Sequence, residues 1–169
     1  MVSALSADDQ EIKITGTYSN KDYGYSVQLK DGLSGSNLAP PAPQHGFGID
    51  LKPGSAGYVW VNADYDALMA GSVERAAEQE SQRFAGQDGV RVIEDKPAML
   101  SGLPAREVIL SNPTGKNRVN YVRLLVAYRK VSGEVGIIYV IGIQQHTMSA
   151  AGEAVFSSVA HSFRTVPTN

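Results

Sequence analysis

The sequence predicts an α+β protein, an α/β/α sandwich around a central, mostly antiparallel sheet. Three observations carry this. In Val135 to Ile143, one alternating set is Val135, Ile137, Tyr139, Ile141 and Ile143, and the other is Gly136, Ile138, Val140 and Gly142. Both sets are apolar, and a strand apolar on both faces must be covered on both faces. Near the C-terminus, Val155, Phe156, Val159, Phe163 and Val166 recur at three- and four-residue spacing, the pattern of an amphipathic helix. The order of elements is strands, helix, four strands, helix, which supplies one helix layer for each face of the sheet.

Length and composition set the frame. A chain of 169 residues can bury a real core in one domain, expected over residues 11–169. A net charge of −2 favours no class of partner, and no apolar run approaches the length that spans a bilayer. The absence of cysteine excludes disulfides, thiolate metal sites and a cysteine nucleophile. Residues 1–10 stand apart. Met1 to Ala7 is small and weakly apolar, then Asp8-Asp9-Gln10 turns polar. Two readings are open: a signal-peptide remnant with Ala7 at the cleavage side, or a short disordered leader. The first makes the protein exported, periplasmic or extracellular; the second leaves a cytoplasmic location open.

The elements follow in order. Glu11 to Tyr18 alternates, with Ile12, Ile14 and Gly16 on one face and Lys13, Thr15 and Thr17 on the other. After a turn at Ser19 to Asp22, Tyr23 to Leu29 alternates again, so the two runs read as a hairpin. Asp31 to Gln44 holds Gly32, Gly35, Pro40, Pro41 and Pro43 and is expected to be a long loop. Short strands are expected at Gly46 to Leu51 and Tyr58 to Ala63, the second carrying the lone Trp60. A helix is expected over Ala67 to Ala85, with Ser72 as a candidate N-cap and Gly86 after its end. Its narrow stripe of Val73, Ala76, Ala77 and Phe84 suits a helix lying flat on a sheet, with Glu74, Arg75 and Glu78 toward solvent.

Val90 to Leu100 reads as a strand broken by Pro97, then Gly102 to Pro104 as a turn and Ala105 to Leu110 as a strand. Asn112 to Asn117 is a polar loop. Arg118 to Gln145 is a long hairpin joined at Ser132-Gly133, and its glycines Gly136 and Gly142 are expected to admit a helix closely. Its first strand, interrupted by Arg118, Arg123 and Arg129, is expected near an edge or an exposed face. The closing helix is expected over Met148 to Arg164, with Thr147 or Ser149 as its cap. No internal repeat is present.

Four phrases in this order carry a family resemblance: DYGYSVQL (Asp22 to Leu29), SVERAAEQESQRF (Ser72 to Phe84), LSGLPAREVIL (Leu100 to Leu110) and AVFSSVAHSFRTV (Ala154 to Val166). Together they resemble the PsbP-like superfamily, over roughly residues 11–166. That group includes the extrinsic PsbP subunit of photosystem II, a nuclear Ran-binding protein and many small exported bacterial proteins. The resemblance implies an α/β/α sandwich that works by binding and assembly rather than catalysis. It carries over no functional residue.

The residues themselves offer several candidate chemistries. His45, His146 and His161 are scattered and have no ligand spacing. Asp64 and Asp66 flank Tyr65 in NADYDA and, with Asn62, would make an oxygen cluster suited to a hard cation; the plainer reading is that one of them caps the following helix. No nucleophile elbow, phosphate loop or dinucleotide fingerprint occurs. No catalytic site, cofactor or metal is therefore expected.

Charge is uneven. Residues 104–130 hold six cations (Arg106, Lys116, Arg118, Arg123, Arg129, Lys130) and one acid, Glu107, while residues 1–66 hold eight acids and four lysines. Arg123 and Arg129 share an alternation with Tyr121 and Leu125, a basic face that suits an acidic or anionic partner, or one whose arginines pair with neighbouring acids. A pI near 5.9 and no aromatic-basic motif argue against nucleic acid. Pro40, Pro41 and Pro43 would stiffen their loop, and a stiff loop loses less entropy on docking. The reading is a non-catalytic exported module for binding protein partners, with Pro40, Pro41, Pro43, Arg118, Tyr121, Arg123 and Arg129 as its candidate surface. The alternatives are a ligand-binding or enzymatic domain with a site between sheet face and helix, using Tyr121, Arg123, Asp64 and Asp66, and an inhibitor or immunity-type protein.

Overall fold

A computed structural model describes residues 11–37, 41–42, 44–51, 57–86 and 89–167. The leader expectation for residues 1–10, and Pro40 and Pro43 of the proline loop, lie outside the described residues. In chain order the elements are β1 (Lys13–Ile14), β2 (Thr17–Asn20), β3 (Tyr25–Gln28), β4 (Gly35–Ser36), β5 (Gly46–Asp50), β6 (Tyr58–Tyr65), α1 (Val73–Gln82), β7 (Arg91–Leu100), β8 (Leu103–Ser111), β9 (Tyr121–Ser132), β10 (Val135–Gln145), α2 (Ala150–Ser162) and β11 (Arg164–Thr165). The strands form an eight-stranded sheet in the order β1-β4-β5-β6-β10-β9-β8-β7 and a three-stranded sheet in the order β11-β3-β2. The pairings are antiparallel, so the expected α+β class holds.

β10 is buried along most of its length and separates two cores. Ile137, Tyr139, Ile141 and Ile143 pack on one side with Tyr25, Phe47, Phe156, Val159 and Phe163. Ile138 and Val140 pack on the other with Ala76, Ala77, Val108, Leu110, Val122, Leu124 and Val126. The three-stranded sheet and α2 therefore cover one face, and α1 covers the other. On the α2 face the aromatics interlock. Tyr25 stacks on Phe163 with ring centroids 5.4 Å apart, and Tyr139 meets both edge-on. The Tyr139 hydroxyl is satisfied by donating to the Tyr23 carbonyl at 2.7 Å.

Both helices start where a serine can accept from the first turn: Ser72 Oγ from the Arg75 N–H at 3.3 Å, and Ser149 Oγ from the Gly152 N–H at 3.1 Å. α1 is shorter than its periodicity suggests because Asp66 clasps the preceding turn. Its carboxylate accepts from the N–H groups of Ala70 (2.7 Å) and Gly71 (2.9 Å), and Gly71 has φ +69°.

Several expectations are corrected. The first hairpin is split at Gly16, where φ is +66°: β1 turns away to pair with β4 in the large sheet, and β2, which continues through Asn20, pairs with β3. The loop after it contains β4. Pro97 does not break its strand. β7 is the sheet edge, with Pro97 opposite Arg106, so the missing N–H can face outward where no ladder bond is needed. β9 is not near an edge, since β8 and β7 lie outside it. Gly136 and Gly142 do not admit a helix. A Cβ on Gly142 would stand 2.1 Å from the Trp60 ring, and one on Gly136 would stand 2.2 Å from the Tyr128 hydroxyl. A neighbouring strand's aromatic lies flat over each glycine.

Candidate functional site

The arginines of the basic stretch do not share one surface. Arg123 projects from β9 on the α2 face, half-buried. Its Nη2 donates to Glu107 Oε2 at 2.9 Å, its Nη1 donates to Glu153 in the first turn of α2, and its guanidinium lies 4.5 Å from the centre of the Phe156 ring. Lys96 of β7 adds a second cation to Glu107 at 3.1 Å. One guanidinium thus ties β8, β9 and α2 together, and a lysine extends the network to the edge strand. Burial pulls the Glu107 pKa up, but the hydrogen bonds from Arg123 and Lys96 outweigh it and hold the carboxyl below its usual range. Tyr121, beside this group, is pushed up to about 12 by burial and by the charge of Glu153. Arg129 donates to the Val166 carbonyl at 3.1 Å and so fastens the segment after β11 to β9. Arg118 lies outside β9, exposed, on the rim of a concavity of about 320 Å³ on the α1 side with Phe84, Val90, Val119 and Val122. Pro41 is half-buried.

Beside the Arg123 network a cleft of about 340 Å³ opens between β7 and α2. Leu125 and Phe156 line it with Ala98 and Leu100, and Ser157, His161 and Arg164 contribute polar groups. Arg164 is already engaged at the end of α2, where Nη1 donates to the carbonyls of His161 and Phe163, both at 2.7 Å. His161 Nδ1 lies 2.7 Å from the Ser157 carbonyl, which can only accept, so Nδ1 carries a proton.

Asp64 and Asp66 part company. Asp64 accepts from Asn62 Nδ2 at 2.7 Å and pairs with His45 Nδ1 at 2.5 Å, while Tyr23 stacks on the imidazole. Asp66 holds the turn before α1 and also accepts from the Tyr128 hydroxyl at 3.1 Å. Its burial is outweighed by the Gly71 and Ala70 N–H bonds, so its pKa is lowered. Among the described residues no group of three or more ligating side chains is placed to hold a metal ion.

Two features escaped the sequence reading. Glu80, in the last turn of α1, is buried with its carboxyl pKa raised, chiefly by desolvation; Arg83 lowers it and Asp64 raises it further. A helical Glu at that spacing reads as solvent-facing unless the sheet beneath is known. Glu153 as a partner of Arg123 was also missed, because thirty residues separate them.

The layers, strand order and two helices define the class, an α/β/α sandwich, and the fold is shared with solved structures of the PsbP-like kind. Among solved structures, LpqN of Mycobacterium tuberculosis, described as involved in cell envelope biogenesis, superposes at a TM-score of 0.63 with 14% identity, over 94% of this chain and 91% of that one. Cyanobacterial PsbP (CyanoP) from Synechocystis sp. PCC 6803 superposes at 0.52 with 12% identity, over 98% of each chain. A protein of Bacteroides thetaiotaomicron superposes at 0.51 with 10% identity, over 90% of this chain and 49% of that one. At these identities the likeness is one of fold. No protein-family model and no curated protein matches the sequence. No helix among the described residues is long and apolar enough to cross a membrane.

Proposed function

We propose that this chain is a non-catalytic binding or assembly module, exported from the cytoplasm, that works by contacting another protein. The observation that carries the reading is the engagement of Arg123, whose two Nη groups both go to carboxylates while its buried Nε is left without a partner. The charged groups beside the α2 cleft are directed at one another, Arg123 at Glu107 and Glu153, Lys96 at Glu107 and Glu94. Groups so engaged cross-link elements of the fold. A catalytic group needs a free lone pair or proton aimed at a substrate. The likeness to LpqN supports an envelope setting. Arg118, exposed near the exposed Lys116, and Pro41 belong to the proposed contact surface.

A second reading has one observation in its favour, the 340 Å³ cleft, which is large enough for a small ligand bearing an anionic group toward Arg164. Two parallel assays separate the readings: affinity capture of the tagged protein from its native cells, and thermal melting against a panel of small carboxylates, phosphates and sugars. The assembly reading expects a stoichiometric protein partner and no ligand-induced shift. A melting shift without any captured protein would overturn it.

A further inference from the structure

The cations of residues 104–130 divide into engaged and free. Arg106 pairs with Asp95 at 2.8 Å, Arg123 with Glu107 and Glu153, and Arg129 donates to the Val166 carbonyl. Lys116, Arg118 and Lys130 are exposed and have no partner among the described residues. Of these three, Arg118 lines the concavity of about 320 Å³ on the α1 side.

The lining of that hollow has two chemistries. Val90 and Val122, both buried, and Phe84 and Val119, half-buried, supply an apolar surface. Gln144 of β10, opposite Val122 of β9, adds a half-buried carboxamide that has no partner among the described residues. Both charged residues of the lining are arginines. Arg83 is engaged by Glu80 at 3.2 Å, and Glu80 is buried and does not line the concavity. The uncompensated charge on the hollow is therefore that of Arg118, with exposed Lys116 two residues away.

These groups select an occupant. A guanidinium grips a carboxylate through two parallel hydrogen bonds. A carboxamide offers a donor and an acceptor together, which matches a peptide group; a phosphate has no such pair. The C-terminal end of α1, negative by its dipole, abuts the hollow at Arg83 and Phe84, and it disfavours a dianion more than a single carboxylate. An apolar surface set in a hollow cannot enter a bilayer as a protruding one does. We propose that this concavity docks a short acidic segment of a partner protein. An apolar side chain of the segment lies against Phe84, Val119 and Val122, and the carboxylate of an adjoining Asp or Glu sits on Arg118. Gln144 takes a backbone amide of the same segment. This rests on the binding-module reading and names its surface.

The test pans a random phage-displayed peptide library on the full chain and then measures the most enriched peptide by fluorescence anisotropy. The expected result is enrichment of Asp or Glu close to an aromatic or large aliphatic residue. Arg118→Glu should weaken that peptide at least about tenfold, and a peptide with its acid replaced by Lys should regain most of the loss on that variant. Gln144→Ala should weaken it about threefold to tenfold. Lys130→Glu, at the other end of β9, should leave binding unchanged, and the Arg118 and Lys130 variants should melt as the parent does. A partner captured from native cells should be lost with Arg118→Glu. Enriched peptides without an acid, no enriched peptide, or binding indifferent to Arg118→Glu overturns this surface; a native partner still captured by that variant leaves the binding reading standing. Failure of both panning and capture overturns both. Displacement of the peptide by about 1 mM inorganic phosphate overturns the occupant in favour of a free anion. Self-association of the chain, or flotation with anionic vesicles, that Arg118→Glu abolishes overturns it in favour of a second copy or a membrane.

Discussion

The two faces of the eight-stranded sheet are covered in different ways. On the α2 face a helix, a small second sheet and six buried aromatic rings interdigitate. On the α1 face a ten-residue helix brings only Ala76 and Ala77 to the core. That helix cannot cover eight strands. The rest of the covering comes from the sheet itself: Tyr58 lies over Gly48, Trp60 over Gly142 and Tyr128 over Gly136, each ring on the spot a Cβ would fill. The thick face supplies cohesion and the thin face tolerates polar intrusions such as Glu80 and Asn62.

Four substitutions break or sharpen this contrast. Phe163→Ala removes a ring touching both Tyr25 and Tyr139, and should cost about 3–5 kcal/mol by urea denaturation. A cost near that of a small thin-face truncation would dissolve the distinction. Arg123→Ala leaves Glu107 and Glu153 facing each other without their shared cation. The expected loss is about 2–3 kcal/mol, below that for a fully buried pair because water reaches part of the network. Replacing all three by Met and two Gln should recover most of it.

On the thin face, Gly142→Ala should cost about 1–2 kcal/mol, and a Trp60→Ala background should remove most of that penalty. An unchanged penalty would mean that strand geometry, not the ring, requires the glycine. The smallest effect is Glu80→Gln. The Glu80 pKa is raised on folding, so the folded state holds its proton longer. Its contribution is full below the unfolded carboxylate value and is lost as pH rises through the folded one. The variant should therefore melt higher than the parent at pH 8, by about 1–3 °C, and equal to it at pH 4. A larger gain at pH 4 would reverse the sign.

What the sequence revealed follows the same division. Two-sided burial of β10 was legible because it is a run of apolar residues, and both helices because their stripes and caps are local. Ser72 is the cap found for α1, and Ser149, one of the two candidates, for α2. Cross-strand facts were not legible. Whether Pro97 ends a strand or guards an edge depends on what lies beside it. The same holds for the glycines, whose neighbours are a Trp and a Tyr from facing strands. Arg123 was visible as a charge in an apolar run, but its partners sit on another strand and another helix. Of the candidate surface, the sequence could mark residues and not faces, so Arg118 and Arg123 were grouped although the sheet separates them. Leu68 and Met69 read as helix but lie in the turn before α1.

The pairing of β11 with β3 has a consequence in time. Arg164 lies opposite Ser26 and Thr165 opposite Tyr25, and Phe163 between them and α2 completes the stack on Tyr25. The aromatic core therefore cannot close before residues 163–165 have emerged. Until Phe163 and β11 are free, β3 has only β2 beside it as a strand partner, and Tyr25 and Tyr139 lack their common neighbour. Such long-range closure slows folding and makes it a single late event. A growing chain of this design would stay open, and accessible to whatever handles unfolded chains, until β11 has emerged and paired with β3.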